Sequence, residues 1–137
     1  MKIKPKTGVV SCSGECCSLG TVSRIATRMI LEEMRAGETV TICLPLFLAG
    51  DSGERMFAKK FPTVAVDGCR KLCATKAIEK YSGRTSATVD VEGLLDRWGL
   101  EPPASRRVLE SEDMVTVRRV AQEIAREIDG IKGAQDG

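Results

Sequence analysis

Thr63-Val64-Ala65-Val66-Asp67-Gly68-Cys69 reads as a strand, a tight turn and the opening of a helix. Pro62 breaks the helical pattern before the apolar run Thr63–Val66, and Gly68 permits the turn after it. Beyond Gly68 the pattern predicts a helix from about Cys69 to Tyr81, closed by Gly83. Two earlier apolar runs end in the same way. Val9-Val10-Ser11-Cys12 and Val40-Thr41-Ile42-Cys43 also stop at a cysteine, and the three cysteines stand roughly thirty residues apart with helical sequence between them. Strands alternating with helices imply an α/β fold with a mainly parallel sheet. In such a sheet the carboxyl ends of the strands form the edge where ligands bind.

The rest of the chain fits this plan. Val22, Ile25, Ala26, Met29 and Ile30 recur at helical spacing, and Gly37 marks the end of that helix. Thr39 to Leu44 reads as a second strand buried on both faces. Pro45 and Gly50 bound a loop, and Asp51 with Glu54 resembles a capping box for a short helix through Lys60. Ala87, Val89 and Val91 alternate with Thr88 and Asp90, which predicts a fourth strand. Leu94, Leu95 and Trp98 then pack under a connector, and Pro102-Pro103 forces an extended bend. Ser111 caps a long helix over about 112–131, whose stripe of Val117, Val120, Ala121, Ile124, Ala125 and Ile128 docks on the sheet. Residues 133–137 are expected to fray. With no internal repeat or low-complexity block, residues 1–137 form a single domain. Right-handed crossovers and the need to gather the cysteines favour a four-stranded sheet in the flavodoxin-like order 2-1-3-4, flanked by helices.

Composition limits what that edge can do. The chain has 137 residues, enough to bury a core without cross-links. Its 21 basic and 19 acidic residues are interspersed, so no basic face is available for nucleic acid. The start, Met1-Lys2-Ile3-Lys4-Pro5-Lys6, has no apolar targeting core, and no apolar run reaches membrane-spanning length. A cytoplasmic, reducing location is therefore expected. Six cysteines there read as metal-binding or catalytic in preference to disulfides. Histidine is absent, so a soft-metal site must be built from thiolates, with a carboxylate or water at most.

Cys69 and Cys73, four residues apart on the expected helix, would share one face near its positive N-terminus. Arg70 and Lys71 would add positive charge, and Cys12 and Cys43 would be the other contributors. Four thiolates suit a divalent zinc ion, and they also suit an iron–sulfur cluster. Asp67 and Gly68 stand behind the ligands, Asp67 either holding the loop through backbone N–H groups or acting as an outer partner of the metal. A single buried cysteine, Cys43 above all, would be ordinary core filler. Five gathered at strand ends and loops are better explained by a site. Cysteine-dependent redox or sulfur-transfer chemistry is the alternative, since a reactive thiol with a resolving neighbour needs only Cys12, Cys16 or Cys17. The phosphate cradle of small phosphatases and arsenate reductases is a weaker alternative, because the position of the arginine it needs, six residues after Cys12, is held by Ser18. No general base is evident among Glu15, Asp51 and Asp67, so metal handling or sensing outranks catalysis and an enzymatic role stays open.

Val66-Asp67-Gly68-Cys69 followed by Cys73 resembles the central motif of the DGC family, small prokaryotic proteins described as zinc-binding through four chelating cysteines. Cys12-Ser13-Gly14 and Cys43 resemble its pattern too, over a similarity running from about Val9 to Tyr81. The resemblance implies Cys12, Cys43, Cys69 and Cys73 as chelators of zinc. The adjacent Cys16-Cys17 pair makes Cys16 the competitor of Cys12. A metal ion is the implied partner. Whether a protein partner or a second copy also binds is not legible at this level.

Overall fold

Side chains alternate across the two central strands, and this divides the molecule into layers. A computed structural model describes residues 5–136; Met1 to Lys4, the start of the segment read for targeting signals, and Gly137 lie outside the described residues. The strands are β1 (Thr7–Ser11), β2 (Thr39–Val40), β3 (Thr63–Asp67) and β4 (Ala87–Asp90). They form an all-parallel sheet in the order β2-β1-β3-β4, the flavodoxin-like arrangement expected from the sequence. On one face Val9, Val64, Val66 and Val89 pack with α1 (Ser18–Met29), α6 (Val91–Trp98) and α7 (Ser111–Asp136). On the other, Val10 and Ala65 meet Phe57 of α4 (Phe57–Lys60) and Ala74 and Ile78 of α5 (Cys73–Tyr81). Two further short helices, α2 (Leu44–Leu48) and α3 (Ser52–Arg55), follow β2. Among the described residues no helix is long and apolar enough to cross a membrane.

Several elements differ from the sequence reading. β2 is only two residues long, and the stretch expected to complete it leaves the sheet at Thr41 and winds into α2. Pro45, in the first turn of α2, is tolerated there because a helix's first N–H groups have no internal partner. Val91 to Trp98, expected as a strand end and connector, is a helix, capped by Asp90 accepting the Gly93 N–H at 3.2 Å. α7 runs through Asp136, past the point where fraying was expected. Its first turn is closed by Asp113, whose carboxylate accepts the Glu110 N–H at 2.8 Å, so Glu110 takes the place expected of Ser111. α1 begins at Ser18, before its first apolar stripe residue. It continues as a π turn over Ile30–Met34, in which the Arg35 N–H reaches Ile30 O at 2.9 Å. Gly37 then takes a positive φ of 78°, where glycine carries no steric penalty.

Candidate metal centre

Cys12 follows β1, and its backbone N–H still pairs with Val66 O at 2.9 Å, so its position is fixed by the sheet. Its sulfur has two polar neighbours. The Gly68 N–H donates to Sγ at 3.3 Å, and the buried Ser23 hydroxyl lies 3.5 Å away while donating to Gly20 O at 2.7 Å. These two groups fix the direction in which the sulfur points.

Close backbone packing makes this contact possible. A Cβ on Gly68 would stand 2.6 Å from both Leu19 C and Gly20 N, and one on Gly20 would stand 2.0 Å from Gly14 O. Only bare backbone lets the β1–α1 loop, the first turn of α1 and the β3–α5 turn approach so closely. The turn's glycine therefore serves the thiol as well as the bend.

Asp67 is fully buried at the end of β3. Its carboxylate accepts the Ala74 N–H at 2.7 Å, the Thr75 N–H at 3.2 Å and the Thr75 hydroxyl at 2.7 Å. It thereby caps α5 from the neighbouring strand and satisfies donors that a helix's first turn leaves without partners. Of the two roles foreseen for Asp67, holding the loop is the one its contacts fulfil.

The same contacts correct the helix boundary. α5 starts at Cys73, four residues later than expected, because Asp67 grips Ala74 and Thr75. Leu72 occupies the preceding position in the left-handed region with φ 54°, and the Leu72 N–H closes a turn on Cys69 O at 3.1 Å. Cys69 and Cys73 consequently do not share a helix face. Cys69 is half-buried in the turn, and Cys73 is exposed as the first residue of α5. Arg70 is paired with Asp96 and stands 3.8 Å from Glu92, both on α6.

Cys43, expected inside a buried strand, is exposed just before α2. Its N–H donates to the Glu54 carboxylate at 3.1 Å, while Asp51 caps α3 through the Glu54 N–H at 2.9 Å. Glu54 thus anchors the Cys43 loop instead of completing the expected capping box. Cys12 and Cys43 line one cleft of about 360 Å³. Ser11, Ser13 and Thr41 contribute hydroxyls to it, and Ile42, Leu44, Pro45 and Leu48 form its apolar walls. Ser13 holds a left-handed φ of 51°, with its hydroxyl 2.7 Å from that of Ser11. Of the two loop competitors, Cys16 is exposed and Cys17 packs at the edge of the core.

The topology therefore brings Cys12, Cys43, Cys69 and Cys73 to the carboxyl edge of one sheet, as loop residues from three successive strands and the first residue of α5. Among the described residues, no three His, Cys, Asp or Glu side chains converge on a common point as they stand. The donor chemistry nonetheless fits a thiophilic ion, since the thiols are free and no histidine competes. A larger cavity of about 470 Å³ between β4, α6 and α7 contains no thiol. Ser23, which sequence reasoning passed over, lies on α1 eleven residues after Cys12, and the loop between them brings its hydroxyl back to that sulfur. No curated protein and no solved structure matches the chain. The family model described as the DGC domain matches residues 8–120.

Proposed function

From the chain's membership of the DGC domain family, to which it belongs over residues 8–120, we infer that it is a zinc-binding protein with a metal-handling or sensing role. The observation that carries this reading is the Cys12 cradle. A backbone N–H and a hydroxyl meet a half-buried sulfur at the carboxyl edge, where Cys43, Cys69 and Cys73 also emerge. These four thiolates would hold the ion, with Cys16 as the competitor of Cys12 in the first loop. Asp67 acts behind them by fixing the start of α5, and Gly68 by aiming its N–H at the sulfur. Zinc ligation by four thiolates leaves a closed coordination sphere, which suits holding or sensing an ion better than hydrolysis at an open position. Thiols must lose protons to bind, so affinity should fall as pH drops. The role presumes a reducing compartment, as in the cytoplasm.

Anaerobic titration of the reduced protein with zinc, with metal analysis and proton release followed together, tests the reading. Roughly one ion per chain with proton release is expected, as is near-complete loss of binding in Cys69→Ser and Cys73→Ser but not in Cys17→Ser. Metal retained by Cys73→Ser and lost by Cys17→Ser would move the site into the first loop. An iron–sulfur cluster would instead announce itself by visible absorption.

A further inference from the structure

The cleft between Cys12 and Cys43 exists because β2 leaves the sheet early. Its pairing with β1 stops at Gly8↔Val40, whereas β1 continues to Ser11, and residues 41–43 swing away to begin α2. The resulting space of about 360 Å³ is far larger than a bare ion requires and reaches the lower range of small-molecule sites. It has two thiols, apolar walls and no charged side chain. A small uncharged organic molecule suits it, and the bond with which two free thiols lining one cleft exchange is a disulfide.

We propose that this cleft takes a small, uncharged organic disulfide, that Cys12 attacks it, and that Cys43 resolves the product. In the first step the Cys12 sulfur forms a bond to one sulfur of RSSR as the RS–SR bond breaks. The departing RS⁻ takes up the proton released by Cys12, leaving Cys12–S–SR and RSH. In the second, Cys43 attacks the Cys12 sulfur, the bond to SR breaks, and a second RSH leaves with the Cys43 proton. The two protein thiols are oxidised to one disulfide and the organic disulfide is reduced to two thiols. The Gly68 N–H at 3.3 Å and Ser23 at 3.5 Å hold the Cys12 sulfur in one orientation for attack. Cys16 and Cys73 are more exposed, and no such donor to either sulfur is seen among the described residues, so exposure and the proposed reactivity point to different cysteines. The activity shares Cys12 and Cys43 with the proposed metal site but does not require a metal.

The full chain, reduced and stripped of metal, is mixed anaerobically with bis(2-hydroxyethyl) disulfide, quenched at intervals and mapped by peptide mass spectrometry. In Cys43→Ser the mixed disulfide should accumulate at Cys12 about tenfold faster than at Cys16 or Cys73. In the unaltered protein that adduct should give way to a Cys12–Cys43 disulfide with release of two thiols. Oxidised glutathione, charged and larger, should lose about tenfold at Cys12 relative to its own rate at Cys16. Leu48→Trp, at an exposed wall position, should slow Cys12 alone. Labelling that follows exposure, with Cys16 and Cys73 first, or no Cys12–Cys43 bond, would overturn the proposal. Cys73→Ser separates the two functions: it should abolish metal binding and leave the exchange at Cys12 unchanged.

Discussion

Asp67 and Gly68 act through backbone groups, and their substitutions should have effects that no surface position matches. Asp67→Asn keeps the shape but supplies one acceptor oxygen for three donors, in a fully buried place. A loss of about 1–3 kcal/mol is expected, read from urea unfolding at neutral pH. Gly68→Ala should cost a similar 1–3 kcal/mol, roughly, because its Cβ meets the backbone of Leu19 and Gly20, which cannot step aside like a flexible side chain. An Asp67→Asn protein as stable as the parent would show that the cap is replaceable. The strand–turn reading of Val66-Asp67-Gly68-Cys69 located both residues in the sequence. The contacts of Gly68 were not legible there, because Cys12, Leu19 and Gly20 lie more than forty residues away and only the sheet order brings them close.

Among the elements, hydrophobic periodicity found the two long helices and three of the strands, and the Asp51–Glu54 spacing found the helical stretch to Lys60, which is two short helices and not the one expected, while boundaries failed wherever a side chain from elsewhere set them. α5 is the clearest case, since its start is decided by Asp67 and not by its own preceding residue. Leu72 pays for that arrangement with a left-handed backbone. Leu72→Gly should therefore raise stability by up to about 1 kcal/mol, and a loss in urea melts would mean that its half-buried side chain contributes more than the backbone costs. β2 failed differently: Thr39 to Leu44 is as apolar as a central strand, but Pro45 favours a helix start directly after it. The end of α1 is joined to α7 by Arg35 and Asp129, 2.7 Å apart, and this contact holds the Asp129 carboxyl below its ordinary value. Its contribution is present above the unfolded-chain value and is lost as pH falls through the lower folded one, where the unfolded chain binds more protons. Asp129→Asn should cost about 0.2–1 kcal/mol at neutral pH, reduced by the pair's solvent exposure, and the gap to the parent should close in acid.

Considered as a whole molecule, the fold is expected to hold without an ion. Apolar layers cover both faces of the sheet, with Ile30, Phe47, Ile78, Leu95, Ile124 and Ile128 fully buried, and none of the six cysteines belongs to that set. Burial at about 25 cal/mol per Å² should supply most of the stability, and a bound metal would add a ligand-linked increment. Chelation under reducing conditions should leave the helical circular dichroism signal intact and lower the melting temperature; wholesale loss of helix would make the site structural. The global plan was the most legible level, because strand–helix alternation and right-handed crossovers leave few topologies. The site was legible as an edge and a set of thiols. Its division into a cradle at Cys12, a turn at Cys69 and an exposed Cys43 was not, because each depends on where a strand or helix actually stops. The two-residue β2 has one more consequence, for life at high concentration. A border strand of full length would offer a row of free amides and carbonyls to any neighbouring chain, the template on which fibrils grow. Here that border is too short to recruit one, and substitutions that lengthened it toward Leu44 would trade solubility for order.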